Sequence, residues 1–290
     1  MSDTLRIGII GGSGLYEMEG LTDIRTETLT TPFGAPSDDY VIGRLEGVDA
    51  ELVFLPRHGR GHRLTPSEVP YRANIFGMKM LGVSWIISVS AVGSLREEIV
   101  PGHMVIIDQF IDRTKARASS FFDNGIVAHI AFGDPVCSAL RGYLLSACES
   151  AGATYHDGGT YVCMEGPAFS TRAESNLYRS WGGSVIGMTN LPEAKLAREA
   201  EISYATLALS TDYDCWHEGH DDVTVDQVVA IVQQNVLAAK GIIRHAVPLI
   251  VAHDGPAPHS NALAGSILSD KAGVPAERIE VLSPLIGKYF

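Results

Sequence analysis

Positive charge is scarce in this chain. Lys and Arg number 22 against 34 Asp and Glu, a net charge of −12. No block of basic residues interrupts that acidic surplus, so a nucleic-acid footprint is absent. An anionic ligand would have to be held locally, by backbone N–H groups and a few placed Arg or His side chains. Cysteine is also sparse. Cys137, Cys148, Cys163 and Cys215 form no CxxC pair, which removes support for a zinc site or a disulfide framework. Scattered thiols fit a reducing compartment. No apolar run approaches the roughly 18–20 residues that a membrane helix needs. The first residues lack the basic-then-apolar order of a secretory leader. Together these absences predict a cytoplasmic protein with no membrane partner, no nucleic-acid partner and no metal.

What is present suits a large core. Of 290 residues, 46% are hydrophobic and 19% charged, so disorder is excluded by composition. Short β-rich runs occur at 5–10, 51–56, 84–90, 104–107, 159–164, 185–188 and 202–209. Helical spacing occurs between them at 70–81, 135–151, 171–181, 192–200 and 224–245. The alternation predicts a single α/β domain with a mixed central β-sheet flanked by helices. Residues 1–254 form that domain in this reading. Residues 255–290 follow a linker-like stretch and read as a C-terminal appendage of it.

Several strand ends carry chemistry. Gly11-Gly12-Ser13-Gly14 offers backbone N–H donors and one hydroxyl, the materials of a phosphate cradle. It is not a dinucleotide fingerprint, because Gly12, Gly14 and then Glu17 do not spell GxGxxG. Arg57 and His58 follow the second run; a guanidinium fork with an imidazole beside it suits an oxyanion. Ser88, Ser90 and Ser94 bring small hydroxyls to another strand end. Phe169, beside Gly166-Pro167, could stack on a base. Thr189 lies between a strand and a helix and can present its hydroxyl to an anion. Val225, Val228 and Val229 share one helical stripe, the ordinary pattern of core packing.

Asp212 and Asp214 stand two residues apart after the run 202–209. On a strand that spacing lets both carboxylates reach one pocket, and ligand sites of open α/β sheets lie beyond strand carboxyl ends. Such a pair can donate to a ring nitrogen and accept from an exocyclic amine, which fits adenine.

The ordered set Gly11-Gly12-Ser13-Gly14-Leu15, Pro56-Arg57-His58-Gly59, Asn74-Ile75, Ala91-Val92-Gly93-Ser94-Leu95, Glu165-Gly166-Pro167, Met188-Thr189-Asn190-Leu191-Pro192-Glu193 and Thr211-Asp212-Tyr213-Asp214 resembles the 5′-methylthioadenosine phosphorylases, within the trimeric purine nucleoside phosphorylase family. The likeness spans roughly residues 5 to 250. It implies a nucleoside phosphorylase-like fold and phosphorolysis of methylthioadenosine to adenine and 5-methylthioribose 1-phosphate, a step of methionine and purine salvage. It also implies a homotrimer, with phosphate as co-substrate and no cofactor. Ser13, Arg57, His58, Ser90, Ala91 and Thr189 would hold phosphate. Met188 would touch the ribose, and Phe169 and Ile186 would line the base pocket. Asp212 would bond N7, with Asp214 reading the 6-amino group and Thr211 beside them. Ser13, Asp212 and Asp214 are the catalytic candidates. Val225, Val228 and Val229 would wall the 5′-alkylthio group, with His129 arriving from a neighbouring subunit. Serines replace threonines common in the family at Ser13 and Ser90, which keeps the hydroxyls. Residues from about 255 do not match the family cleanly. The competing substrate class is the 6-oxopurine nucleosides, inosine, guanosine or methylthioinosine. The family's readers of that class use Asn where Asp212 stands. A dinucleotide-binding oxidoreductase and a non-catalytic nucleotide sensor fit the motifs less well.

Overall fold

A computed structural model describes residues 4–290 apart from Ser13, Tyr16 and 218–224; for 225–230 the description covers the backbone alone. The apolar runs form the middle of an eleven-stranded mixed sheet. Its centre is β1 (Leu5–Gly11), β4 (Ala50–Pro56), β5 (Val83–Ser94) and β11 (Ser203–Asp212). All four run parallel, β1 between β4 and β5, and β5 between β1 and β11. Parallel strands are covered on both faces, which is why they read as nearly continuous apolar runs. Every residue of β4 is buried.

The register explains why the strand ends matter. Gly11 pairs with Pro56, Ile10 with Ser88, and Asp212 with Gly93. The carboxyl ends of four strands therefore reach one edge of the sheet together. β5 is longer than its neighbours, and its last residues pair antiparallel with β10 (Gly183–Gly187), Ile186 opposite Gly93. The sheet forks there. β10 continues to β9 (Thr160–Met164) and β7 (Gln109–Arg113), while β11 continues to β6 (Met104–Ile106) and β8 (Tyr155–Asp157). β2 (Leu21–Glu27) and β3 (Tyr40–Leu45) extend the opposite side beyond β4.

Helices cover the sheet: α1 (Tyr71–Met80), α2 (Ser138–Ser150), α3 (Arg172–Ser180), α4 (Asn190–Glu199) and α5 (Val225–Val251). α3 begins with a capping box between Thr171 and Glu174, satisfying N–H groups that a helix start leaves unpaired. Leu191 is extended (φ −120°, ψ 134°), so regular helix in α4 starts at Pro192. That bend carries Thr189 and Asn190 toward the sheet edge.

The C-terminal residues are integral to the core. Ala257, Leu263, Leu282, Leu285 and Ile286 are buried in the same apolar cluster as β1 and β11. The backbone N–H of Leu263 and the Tyr289 hydroxyl both donate to Glu201 Oε1. The short helix α7 (Ser283–Ile286) carries Leu285 and Ile286, while α6 (Ala276–Val281) before it buries no residue fully. No helix among the described residues is long and apolar enough to cross a membrane.

Candidate active site

Arg57 leaves β4 at the meeting edge and is almost wholly buried, at 3% exposed. Its guanidinium forms a bidentate pair with Glu193: Nε donates to Oε2 at 2.7 Å and Nη2 to Oε1 at 2.9 Å. Nη2 also donates to Ser88 Oγ at 2.6 Å, and Nη1 to the Val89 carbonyl at 3.0 Å. Glu193 Oε1 accepts in addition from Ser88 Oγ and from the Tyr204 hydroxyl. Asn190 Nδ2 donates to Ser88 Oγ and to Tyr204. Burial works against the Arg57 charge, yet the Glu193 carboxylate outweighs it and holds the proton more tightly than usual. The two charges cancel inside a closed hydrogen-bond network, the condition under which a buried pair is tolerated.

Around this pair lie the small hydroxyls. Ser90 Oγ is 3.5 Å from Thr189 Oγ1; both residues are buried, while Ala91 beside them is exposed. His58 is half-buried. Its Nδ1 lies 2.9 Å from the Leu64 carbonyl, and its ring stacks on His62. Burial and then the adjacent Arg57 charge push its pKa down to about 4. A neutral ring with Nδ1 donating to the carbonyl keeps Nε2 as an acceptor. Ser13 lies outside the described residues.

The acid pair stands at the end of β11, across β1 and β5 from Arg57. Asp212 Oδ2 accepts from Thr211 Oγ1 at 2.7 Å, and Oδ1 accepts from the Asp214 backbone N–H at 2.7 Å. Burial raises the Asp212 pKa against those bonds. Asp214 is raised too, first by burial and further by the Asp212 charge. Asp214 Oδ2 is buried with no hydrogen-bond partner, although the neighbouring Ser175 hydroxyl, itself without one, acts to lower the Asp214 pKa. Gly93 sits against both: a Cβ there would come within 2.9 Å of Asp212 Oδ1, 3.2 Å of Ile186 Cγ2 and 3.3 Å of Asp214 Cβ. Only a residue without a side chain leaves room for these groups to converge. Ile186 is buried in a small cluster with Leu95, Val162, Tyr178, Tyr213 and Trp216.

Two further loops frame the space. Met188 packs over Gly166, where a Cβ would overlap its sulfur. Arg117 ties these segments together: Nη1 donates to the carbonyls of Met188 and Leu191 and to the Tyr71 hydroxyl, and Nη2 to the Glu165 carbonyl. Phe169, on the same turn as Gly166, is 83% exposed. His129 is exposed on a separate segment, its backbone N–H bonded to the Ser266 carbonyl. Among the described residues no hydrogen bond or ring contact joins it to the site. Val225, Val228 and Val229 fall in the first turns of α5, and their side chains lie outside the described residues.

Sequence reasoning passed over the residues that hold the site in place. Glu193, Asn190, Tyr204 and Arg117 carry no role in the sequence reading, and Ser88, read there as a strand-end hydroxyl, bonds Arg57 and Glu193 instead. The available signal was a carboxylate among Leu191, Ala194, Leu196 and Ala197, on the stretch that becomes α4. A buried acid in such company implies a cation partner. Among the described residues no group of three or more His, Cys, Asp or Glu is placed to hold a metal ion.

Comparison with known proteins agrees with this geometry. The model of the phosphorylase superfamily matches residues 6–248, and the chain belongs to that superfamily. Within it, the chain is 67% identical to the S-methyl-5′-thioadenosine phosphorylase of Geobacter sulfurreducens, over 98% of each chain. It is 59% identical to the enzyme of that name from Synechocystis, over 98% of this chain and 87% of the other. A methylthioadenosine phosphorylase from an Antarctic soil metagenomic library superposes with a TM-score of 0.93 at 49% identity, covering 98% of this chain and 99% of that one. The methylthioadenosine phosphorylase of Schistosoma mansoni in complex with adenine gives 0.86 at 36% identity, covering 91% and 99%.

Proposed function

We infer that this chain is a phosphorylase cleaving 5′-methylthioadenosine with inorganic phosphate, giving adenine and 5-methylthioribose 1-phosphate. The observation that carries the reading is the acid pair: a half-buried Asp212 with a raised pKa beside an Asp214 oxygen that has no partner. Adenine offers an acceptor at N7 and a donor at the 6-amino group. A protonated Asp212 donates to N7, and Asp214 Oδ2 accepts from the amine. Each purine edge then meets a group of the opposite kind.

In the reaction, a phosphate oxygen forms the new bond to C1′ as the bond to N9 breaks. The bonding electron pair leaves with the purine, and the Asp212 proton goes to N7. The transition state carries oxocarbenium character at the sugar, so protonating the departing base lowers the barrier. Phosphate is itself the nucleophile and needs no activated side chain. We assign its cradle to Ser13, Arg57, His58, Ser90, Thr189 and the backbone at Ala91. His58 Nε2, an acceptor in the neutral ring, suits the single O–H of monohydrogen phosphate. With Arg57 neutralised by Glu193, much of the cradle is hydroxyl and backbone dipole. Met188 then faces the ribose, with Ile186 and Phe169 against the base. Val225, Val228 and Val229 form the alkylthio wall, with His129 supplied by a neighbour in a homotrimer. The exposed Phe169 and His129 fit surfaces that substrate or a second subunit covers. We assign the enzyme to salvage of methionine and purine in the cytoplasm, a role its products suit.

One observation favours a second substrate class. If the raised Asp214 pKa leaves it protonated, it would donate to O6 of a 6-oxopurine. Base release from methylthioadenosine, adenosine, inosine and methylthioinosine, each with and without phosphate, tests both. Preference for methylthioadenosine with strict phosphate dependence is expected. Preference for inosine would replace the substrate assignment, and release without phosphate would make the enzyme a hydrolase.

A further inference from the structure

Tyr161, on β9, is completely buried, and its hydroxyl lies 3.1 Å from Ser90 Oγ. Gly187 makes this possible, since a Cβ there would overlap the Tyr161 hydroxyl. The phenol proton needs an acceptor, because a buried donor left without one is costly. Ser90 Oγ is the side-chain partner the described residues provide.

That fixes a direction. If Tyr161 donates to Ser90, the Ser90 oxygen is the acceptor, and the Ser90 proton must point away from the phenol. Its other neighbours are poor acceptors. The Ala91 carbonyl is 3.4 Å away and Thr189 Oγ1 is 3.5 Å away, beyond the usual range for a hydroxyl donor. The proton is therefore available to a ligand in the space between Ser90 and Thr189. We propose that Tyr161 is a positioning residue of the phosphate site, which donates to Ser90 Oγ and so aims the Ser90 hydroxyl proton at the bound phosphate. The relay runs from the Tyr161 hydroxyl to the Ser90 hydroxyl and on to the ligand, and each bond polarises the next. Burial holds the phenol protonated well beyond its ordinary range, so the relay keeps its direction across the working pH. The proposal rests on the assignment of Ser90 and Thr189 to phosphate.

The test is a steady-state cycle with the variants Tyr161→Phe, Ser90→Ala and the double variant, measuring KM for phosphate and for methylthioadenosine separately. Tyr161→Phe removes one oxygen and leaves the ring packing. We expect its phosphate KM to rise about fivefold, the size of one ordinary hydrogen bond, with nucleoside KM unchanged. In the Ser90→Ala background the same substitution should add nothing, because the hydroxyl it orients is gone. Three results overturn the proposal: an unchanged phosphate KM in Tyr161→Phe when Ser90→Ala raises it, full additivity of the two, or a rise in nucleoside KM alone. If neither Ser90→Ala nor Thr189→Ala alters phosphate KM, the phosphate assignment itself fails, and the proposal with it. Thermal midpoints of all variants, expected within about 3 °C of the parent, separate these effects from loss of fold.

Discussion

The β4 side and the β11 side of the central sheet carry opposite kinds of polar site. On the β4 side, Arg57 and Glu193 are buried, mutually neutralised and hydrogen-bonded on nearly every atom. On the β11 side, Asp212 and Asp214 are half-buried without a cation, both pKa values are raised, and one buried carboxylate oxygen has no partner. The first arrangement is finished without a ligand. The second is not, and a buried acceptor with nothing to accept is a standing cost. A purine edge would complete it. The phosphate half is thus built for placement and the base half for proton transfer and discrimination.

The largest effect should come from breaking the finished half. Glu193→Ala strands a buried guanidinium and should cost about 3–5 kcal/mol of stability, read as a lowered midpoint in denaturant titration. Glu193→Gln, which keeps a hydrogen-bond acceptor, should lose less. The unfinished half should behave in the opposite way. Asp212→Ala should lose less stability than Glu193→Ala, since it strands no charge and removes only the acceptor of the Thr211 and Asp214 bonds, but it should lower kcat by about 10²–10⁴. The pH profile sharpens the same contrast. A general acid must be protonated, and the Asp212 pKa is raised. Its contribution to kcat/KM is therefore present below that pKa and falls as pH rises through it. An Asp212→Asn enzyme should lack this limb. Asp214→Asn should raise the KM for methylthioadenosine about tenfold with a smaller change in kcat, through loss of the acceptor for the amine.

The smallest effect lies outside both halves. Glu199, at the end of α4, accepts bonds from the Phe121 N–H and Ser120 Oγ, yet burial lifts its pKa to about 7. A carboxyl raised in the folded state stabilises fully below its unfolded value near 4.5, and that contribution is lost as pH rises through 7. Glu199→Gln should therefore gain about 1–2 kcal/mol over the parent at pH 8, with the gain vanishing near pH 4. Thermal melts at the two pH values read it directly.

What the sequence disclosed follows from how far each signal reaches along the chain. β4, β5 and β11 were legible because buried parallel strands are apolar runs that stop at Arg57, Gly93 and Asp212. β2 was not, because an edge strand reading Leu-Thr-Asp-Ile-Arg-Thr-Glu is mostly exposed and polar. β8 has three residues, too few to show an alternation. The helix read to end at His245 runs on to Val251, through Pro248. Residues 255–290 looked peripheral because helices of four to six residues cannot display a 3.6-residue period, yet Leu285 and Ile286 complete the core. In the site, Arg57 announced itself beside His58 and two glycines. Its partner Glu193 did not, since 136 positions separate them. Tyr161 read as one more strand aromatic, and only the missing side chain at Gly187 shows where its hydroxyl goes.

The claim that the unpaired acids select the base is tested most directly by one ratio. The quantity is kcat/KM for methylthioadenosine divided by that for methylthioinosine, measured with saturating phosphate in the parent enzyme and in Asp212→Asn. The account predicts a ratio well above one in the parent, falling toward or below one in the variant, because an amide at position 212 suits a 6-oxopurine. An unchanged ratio in Asp212→Asn would contradict it.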